Sequence, residues 1–270
     1  YKRQYSDRLL KTFPKKLNKI FFVCTGSEAN DLALRIAKNY TKAKNVLVMN
    51  NAYHGHTNSL IDLSPYKFNS KGGEGKKDYV HVLRMPDEIR GKWTNKNYKW
   101  VNKYIDEAED VISKTFNKKN SLSSFFFESI LGCGGQIELP KGYLKNIFKL
   151  VRQKNALCIA DEVQTGFGRV GSNFWAFQEH GIVPDIVTLG KPMGNGHPIA
   201  AVVTTKKIAD TFNNGMEYFN SFGGNPVSCA VGNAVLDVIE KDNLQKNSKV
   251  VGNYFINKLK QIQKKFPDYI

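Results

Sequence analysis

The sequence predicts an α/β fold, a mainly parallel central sheet covered by helices on both faces. Two observations carry that expectation. Apolar runs of strand length alternate with longer stretches whose apolar residues recur at helical spacing, the order that a parallel sheet with crossover helices requires. Several of the apolar runs also end in groups able to do chemistry. Residues 124–127 end on Glu128, residues 156–160 on Asp161 and Glu162, and residues 182–189 on Gly190 and Lys191. In an open α/β sheet, ligands bind in the crevice outside the carboxyl ends of the strands, so the site is expected there.

In chain order, residues 20–24 form a first strand, and Thr25-Gly26-Ser27-Glu28-Ala29-Asn30 turns into a helix. Ala29, Leu32, Ala33, Ile36, Ala37 and Tyr40 fall on one buried face of that helix. Gly26 and Ser27 then stand at its start, where free N–H groups and the positive end of the dipole make an anion site. An ordinary serine N-cap fits the same residues. Residues 45–49 are the next strand, followed by Tyr53-His54-Gly55-His56. No carboxylate or cysteine accompanies the two histidines, so no metal site is expected. Tyr53 offers a flat face to an aromatic ligand, although half-buried packing is the simpler local account.

Residues 65–103 read as one long loop region, either cover for the site or surface. A helix over 102–116, the strand 124–127 and a Gly132-Cys133-Gly134-Gly135 turn follow. The helix 143–155 places Leu144, Ile147, Phe148 and Val151 on one face and leads into the strand 156–160. After Lys191 come a Gly/Pro-rich turn at 192–198, the strand 199–205, a loop at 219–226 and a helix at 227–240. Residues 244–265 read as a basic amphipathic helix, a packing element with Val251, Tyr254, Phe255, Leu259 and Ile262 on its apolar side.

Composition narrows the partners. The chain has no run of eighteen apolar residues, so no transmembrane helix and no membrane partner are expected. A formal net charge of +16 raises the question of nucleic acid. The lysines, however, are spread in pairs such as Lys15-Lys16, Lys76-Lys77 and Lys118-Lys119, with no dense arm interleaved with aromatics. Nucleic acid is therefore not expected, whereas a positive field attracts phosphorylated small molecules. Cys24, Cys133, Cys158 and Cys229 lie far apart without a C-x-x-C pair and read as free thiols. The chain opens without methionine and stops at Ile270, so both ends are expected to be cut from something longer, a targeting segment included.

Five motifs, in this order and spacing, resemble the class III, fold type I pyridoxal-phosphate enzymes. They are Thr25-Gly26-Ser27-Glu28-Ala29-Asn30, Tyr53-His54-Gly55, the stretch from Asp161 to Gly171, Gly190-Lys191, and Ser221-Phe222-Gly223-Gly224-Asn225-Pro226. Gly132-Cys133-Gly134-Gly135-Gln136, Phe174-Trp175-Ala176-Phe177 and the runs 190–198 and 216–230 are similar to one branch of that family. It is the ethanolamine-phosphate and phosphohydroxylysine phospho-lyase branch, also called alanine–glyoxylate aminotransferase-like.

The resemblance implies pyridoxal 5'-phosphate as cofactor and assigns roles to matching positions. Lys191 would bond the cofactor's aldehyde carbon and later move the substrate's Cα proton. Asp161 would face the pyridine nitrogen, Gln164 the phenolic oxygen, and Tyr53 would stack on the ring. Gly26 and Ser27 would hold the phosphate. Ser221, matching a family threonine, would reach the phosphate of a partner subunit, which implies a homodimer or dimers of dimers. Glu128 matches the first family glutamate near the cofactor. Cys133 stands where transaminases carry a second glutamate that serves alternation between two amino substrates.

The implied activity is therefore a phospho-lyase. It would eliminate phosphate and ammonia from phosphoethanolamine or 5-phosphohydroxylysine to give an aldehyde. An ω-amine or alanine–glyoxylate transaminase is the alternative, and a basic nucleic-acid-binding pseudoenzyme the more remote one. By resemblance, residues 1–240 form the cofactor-binding large domain, incomplete at its N-terminus. Residues 241–270 form a connecting helix toward a small C-terminal domain. The implied compartment is the mitochondrial matrix, with the cytosol as alternative.

Overall fold

The structure is a computed structural model that describes residues 1–267. Helix α1 (Lys2–Leu10) precedes β1 (Leu17–Val23), α2 (Gly26–Thr41) and β2 (Asn45–Met49). The short helices α3 (Asn58–Asp62) and α4 (Pro65–Phe68) lead to β3 (Val80–Leu83), α5 (Trp100–Thr115) and β4 (Leu122–Glu128). A two-stranded hairpin, β5 (Ile130–Leu131) and β6 (Ile137–Glu138), precedes α6 (Tyr143–Gln153), β7 (Leu157–Asp161) and β8 (Ile186–Leu189). The chain closes with β9 (Ala200–Thr205), α7 (Lys206–Phe212), α8 (Pro226–Lys241) and α9 (Leu244–Lys265).

Among the described residues the large sheet has seven strands in the order β1-β9-β8-β7-β4-β2-β3. The β3, β2, β4, β7 and β8 pairings are parallel, while β9 runs antiparallel to both β8 and β1. The expected mainly parallel sheet is therefore present. Successive strand residues point to opposite faces, and both faces are buried, which is why the strands read as continuous apolar runs. On β4, Phe125 and Phe127 join one core with Tyr104, Ile112, Leu144 and Ile147 of α5 and α6. Phe126 joins the other core with Ala29, Ala33 and Ile36 of α2.

The long loop expected at 65–103 is corrected: the segment contains α4 and β3. β3 is a four-residue edge strand paired with β2, too short for its period to stand out among charged neighbours. Likewise α7, at seven residues, carries under two full turns of periodicity. The run 182–189 becomes strand only from Ile186, because Pro184 lacks the N–H a central ladder needs. The packing expected of α9 is also revised. No residue along it is buried, and among the described residues only its first turns are anchored. There Gln245 Nε2 donates to the Gly171 carbonyl at 3.2 Å and Ser248 Oγ to the Arg169 carbonyl at 2.7 Å.

Candidate active site

The carboxyl ends of β1, β2, β4, β7 and β8 open on one cleft of about 220 Å³. Its construction begins at the start of α2. Thr25, in extended backbone, caps the helix: its hydroxyl accepts from Glu28 N–H at 3.1 Å, and Glu28 returns a carboxylate oxygen to Thr25 N–H at 2.8 Å. The N-cap is thus Thr25 and not Ser27, a correction to the simpler reading of that turn. With Thr25 as cap, no acceptor for the N–H groups of Gly26 and Ser27 occurs among the described residues, and they face the cleft as free donors. A Cβ on Gly26 would lie 2.6 Å from Val163 Cγ1, so glycine keeps this wall of the cleft close to the backbone.

Asp161 and Glu162, adjacent at the end of β7, go to opposite sides because side chains alternate along a strand. Asp161 turns into the cleft and is held there by three donors. Its Oδ2 accepts from Asn30 Nδ2 at 2.7 Å and lies 2.9 Å from His54 Nδ1, and its Oδ1 accepts from Val163 N–H at 3.1 Å. An ionised carboxylate only accepts, so His54 carries its proton on Nδ1 in this pair. Asn30 is itself fixed by Thr188 Oγ1, which donates to Asn30 Oδ1 at 2.7 Å, and by the His54 carbonyl.

Glu162 is wholly buried and accepts from Ser129 Oγ at 2.8 Å, Thr165 Oγ1 at 3.0 Å, Ala176 N–H at 2.9 Å and Phe177 N–H at 2.8 Å. Burial pushes its carboxyl above the ordinary value, against those donors. It ties together the chain after Glu128 and the loop carrying Gln164. Replacing Glu162 by alanine leaves four donors without their acceptor and is expected to lower stability by about 3 kcal/mol. Denaturant unfolding of the variant checks this, and an unchanged midpoint would refute it.

Lys191 follows β8 and opens a short 3-10 turn, Lys191–Met193. Its φ of 29° is an uncommon conformation for a residue with a Cβ, the kind of local strain that surrounding structure must hold in place. The exposed ammonium donates to Gln164 Oε1 at 3.1 Å. Glu128 is buried at the end of β4, its two oxygens accepting from Tyr53 N–H at 3.0 Å and Gly132 N–H at 2.7 Å. Burial raises its carboxyl above the usual range. Ser27 Oγ accepts from His56 N–H at 3.2 Å.

Of the residues expected from sequence, Gly26, Ser27, Tyr53, Glu128, Asp161, Gln164 and Lys191 all line this one cleft, and Cys133 joins them. Ser221 does not: it is exposed in the loop between α7 and α8. The structure adds Asn30, His54 and Val163 to the cleft. Asn30 left a readable signal, a polar residue on the buried face of α2 beside Ala29 and Ala33. His54 stood in the Tyr53-His54-Gly55 motif without a role, because its partner Asp161 is distant in sequence. No group of three or more potential metal ligands occurs among the described residues.

The family model for class III aminotransferases matches residues 2–270; the chain belongs to the class III aminotransferase family. A Drosophila melanogaster protein named alanine–glyoxylate aminotransferase 2-like is 48% identical over 267 residues, 97% of this chain and 54% of the relative. A Caenorhabditis elegans protein named ethanolamine-phosphate phospho-lyase homolog 1 is 42% identical over 271 residues, 96% of this chain and 58% of the relative. Among solved structures, a phospholyase from Arthrobacter in complex with phosphoethanolamine is similar with a TM-score of 0.90 and 36% identity. That similarity covers 97% of this chain and 61% of the other. The chain spans little more than half the length of these relatives. Its fold is that of the fold type I transaminases.

Proposed function

We propose that the cleft binds pyridoxal 5'-phosphate and that the whole protein is a phospho-lyase, releasing phosphate and ammonia from a phosphorylated amine. The carrying observation is the convergence of a lysine amine, a three-fold-held carboxylate and a free helix start in one cleft. Those groups fit the cofactor. The N–H groups of Gly26 and Ser27 suit its phosphate, the buried Asp161 suits a protonated ring nitrogen, and Lys191 Nζ suits its aldehyde. Tyr53 supplies an aromatic face for the ring.

Bound there, pyridoxal phosphate supplies an aldehyde for the amine and a ring that accepts an electron pair. The chain's own residues do the rest. Asp161 holds a proton at the ring nitrogen, with Asn30 and His54 fixing its orientation. Gln164 keeps Lys191 Nζ in the cleft until the cofactor's aldehyde takes it. Lys191 Nζ then takes the proton from the amine-bearing carbon, as a positioned general base. In the overall reaction, phosphoethanolamine and water give acetaldehyde, ammonia and phosphate.

Cys133 in the cleft supports a lyase over a transaminase. A thiol pushed above its ordinary pKa by burial does not replace the second, switchable carboxylate that the resemblance assigns to transaminases. We further place Ser221 in the cleft of a second copy, since its loop also exposes Phe219 and Phe222. The segment after residue 240 is then a connector toward a small domain. The test is phosphate and aldehyde release by the full-length protein from phosphoethanolamine and 5-phosphohydroxylysine. Phosphate release from one of them is expected. Amination of pyruvate or glyoxylate with no phosphate release would replace this reading by the transaminase one.

A further inference from the structure

Beside Tyr53, which lines the cleft, stands a cation that the chemistry above does not use. Helix α4 is fastened to the cleft wall: Tyr66 N–H donates to the Ala52 carbonyl at 3.2 Å, and His54 N–H donates to the buried Ser64 Oγ at 2.9 Å. Lys67, on that helix, holds its Nζ 5.6 Å from the centroid of the Tyr53 ring and 5.3 Å from that of Tyr66. The two rings stand 6.2 Å apart at 77°, so the ammonium rests over an aromatic corner. Such contacts orient a cation without neutralising it.

Among the described residues no carboxylate pairs with Lys67, whereas Lys77, Lys92, Lys114 and Lys206 each have one. Its charge is felt inside the cleft. With Lys191 it works against the burial that raises the Cys133 thiol. The cleft and its flank are therefore polarised, with Asp161 and Glu128 buried in the floor and an uncommitted ammonium over the Tyr53 ring of its wall. A substrate with an amine at one end and a phosphate at the other has the matching polarity.

We infer that Lys67, backed by Tyr53 and Tyr66, forms the subsite that binds the phosphate of the substrate; this rests on the phospho-lyase reading above. A lysine ammonium is a compact charge with three donors, suited to a phosphate dianion. The cofactor's phosphate has its own donors on α2, so the two anions are received by different elements. As the C–O bond to phosphate breaks, the electrons left by the Cα proton form the C=C bond, the C–O pair leaves with the phosphate oxygen, and Lys67 holds the phosphate before and through the step.

The test compares Lys67→Met and Lys67→Arg with the full-length wild type, measuring phosphate release from phosphoethanolamine and competitive inhibition by inorganic phosphate. In Lys67→Met, kcat/KM is expected to fall by about 10- to 100-fold, mainly through KM. Inhibition by phosphate should weaken in step. Lys67→Arg should recover most of the loss, and the gap between Lys67→Met and wild type should narrow in about 0.5 M salt. Because Lys67 is exposed, the variants are expected to melt with the wild type and keep the cofactor's absorption band. Unchanged kcat/KM in Lys67→Met overturns the assignment while leaving the phospho-lyase reading intact. Loss of cofactor binding also overturns it, making Lys67 a cofactor contact. A wild type that releases no phosphate but aminates glyoxylate removes the phospho-lyase reading and the subsite together.

Discussion

Replacing Lys191 by alanine is expected to lower turnover of the full-length protein by about 10⁴-fold, with the fold intact. The size follows from two duties in one amine: covalent attachment of the cofactor's aldehyde and movement of the substrate proton, the latter worth about 10²- to 10⁴-fold where measured in other enzymes. No neighbour substitutes. Lys67 is held over Tyr53 and Tyr66, outside the cleft lining, while Lys191 Nζ reaches Gln164 in the cleft from a residue held at φ 29°. Lys191→Arg should be no better, since a guanidinium stays protonated at any working pH. Product release and the cofactor's visible band are the measurements. Activity of Lys191→Ala within tenfold of wild type would mean that proton movement happens elsewhere.

Replacing Asp161 by asparagine is the second large effect, an expected loss of about 10³-fold in kcat. In the proposed site the amide would remove the negative charge that keeps the ring nitrogen protonated. It also places either an N–H group or a weaker acceptor against Asn30 Nδ2, His54 Nδ1 and Val163 N–H. Loss of one partner of a buried charged pair costs about 4 kcal/mol, which is about 10³-fold in rate. Cofactor affinity should fall less than kcat, because the donors at Gly26 and Ser27 are untouched. Single-turnover rates separate the two. A variant with normal kcat and weak cofactor binding would reduce Asp161 to an anchor.

The parts legible in the sequence are those where local pattern and site coincide. β4, β7 and β8 are apolar runs that end on Glu128, Asp161 and, one residue past Leu189, Gly190-Lys191. Their shared direction places those residues at one edge of the sheet. α2 was readable from its spacing, though its cap fell on Thr25. The pairing of Asn30 and His54 with Asp161 was not readable, because they lie 131 and 107 residues from it. Such pairs exist only once β1, β2 and β7 share a sheet. Glu162 shows the opposite case. Adjacent to Asp161 and chemically identical in kind, it turns away from the cleft to fasten four donors, as the two-residue period of a strand requires. β3 and α7 were hidden by shortness alone.

The central claim is that this cleft holds pyridoxal phosphate on Lys191, and one measurement addresses it directly. The full-length protein is incubated with pyridoxal 5'-phosphate, the linkage is reduced with borohydride, and the modified peptide is mapped. With 33 lysines in the chain, nonspecific attachment would scatter over the surface. The account predicts stoichiometric label on Lys191 that disappears in Lys191→Ala. Label spread over surface lysines, and equal in wild type and variant, would contradict it.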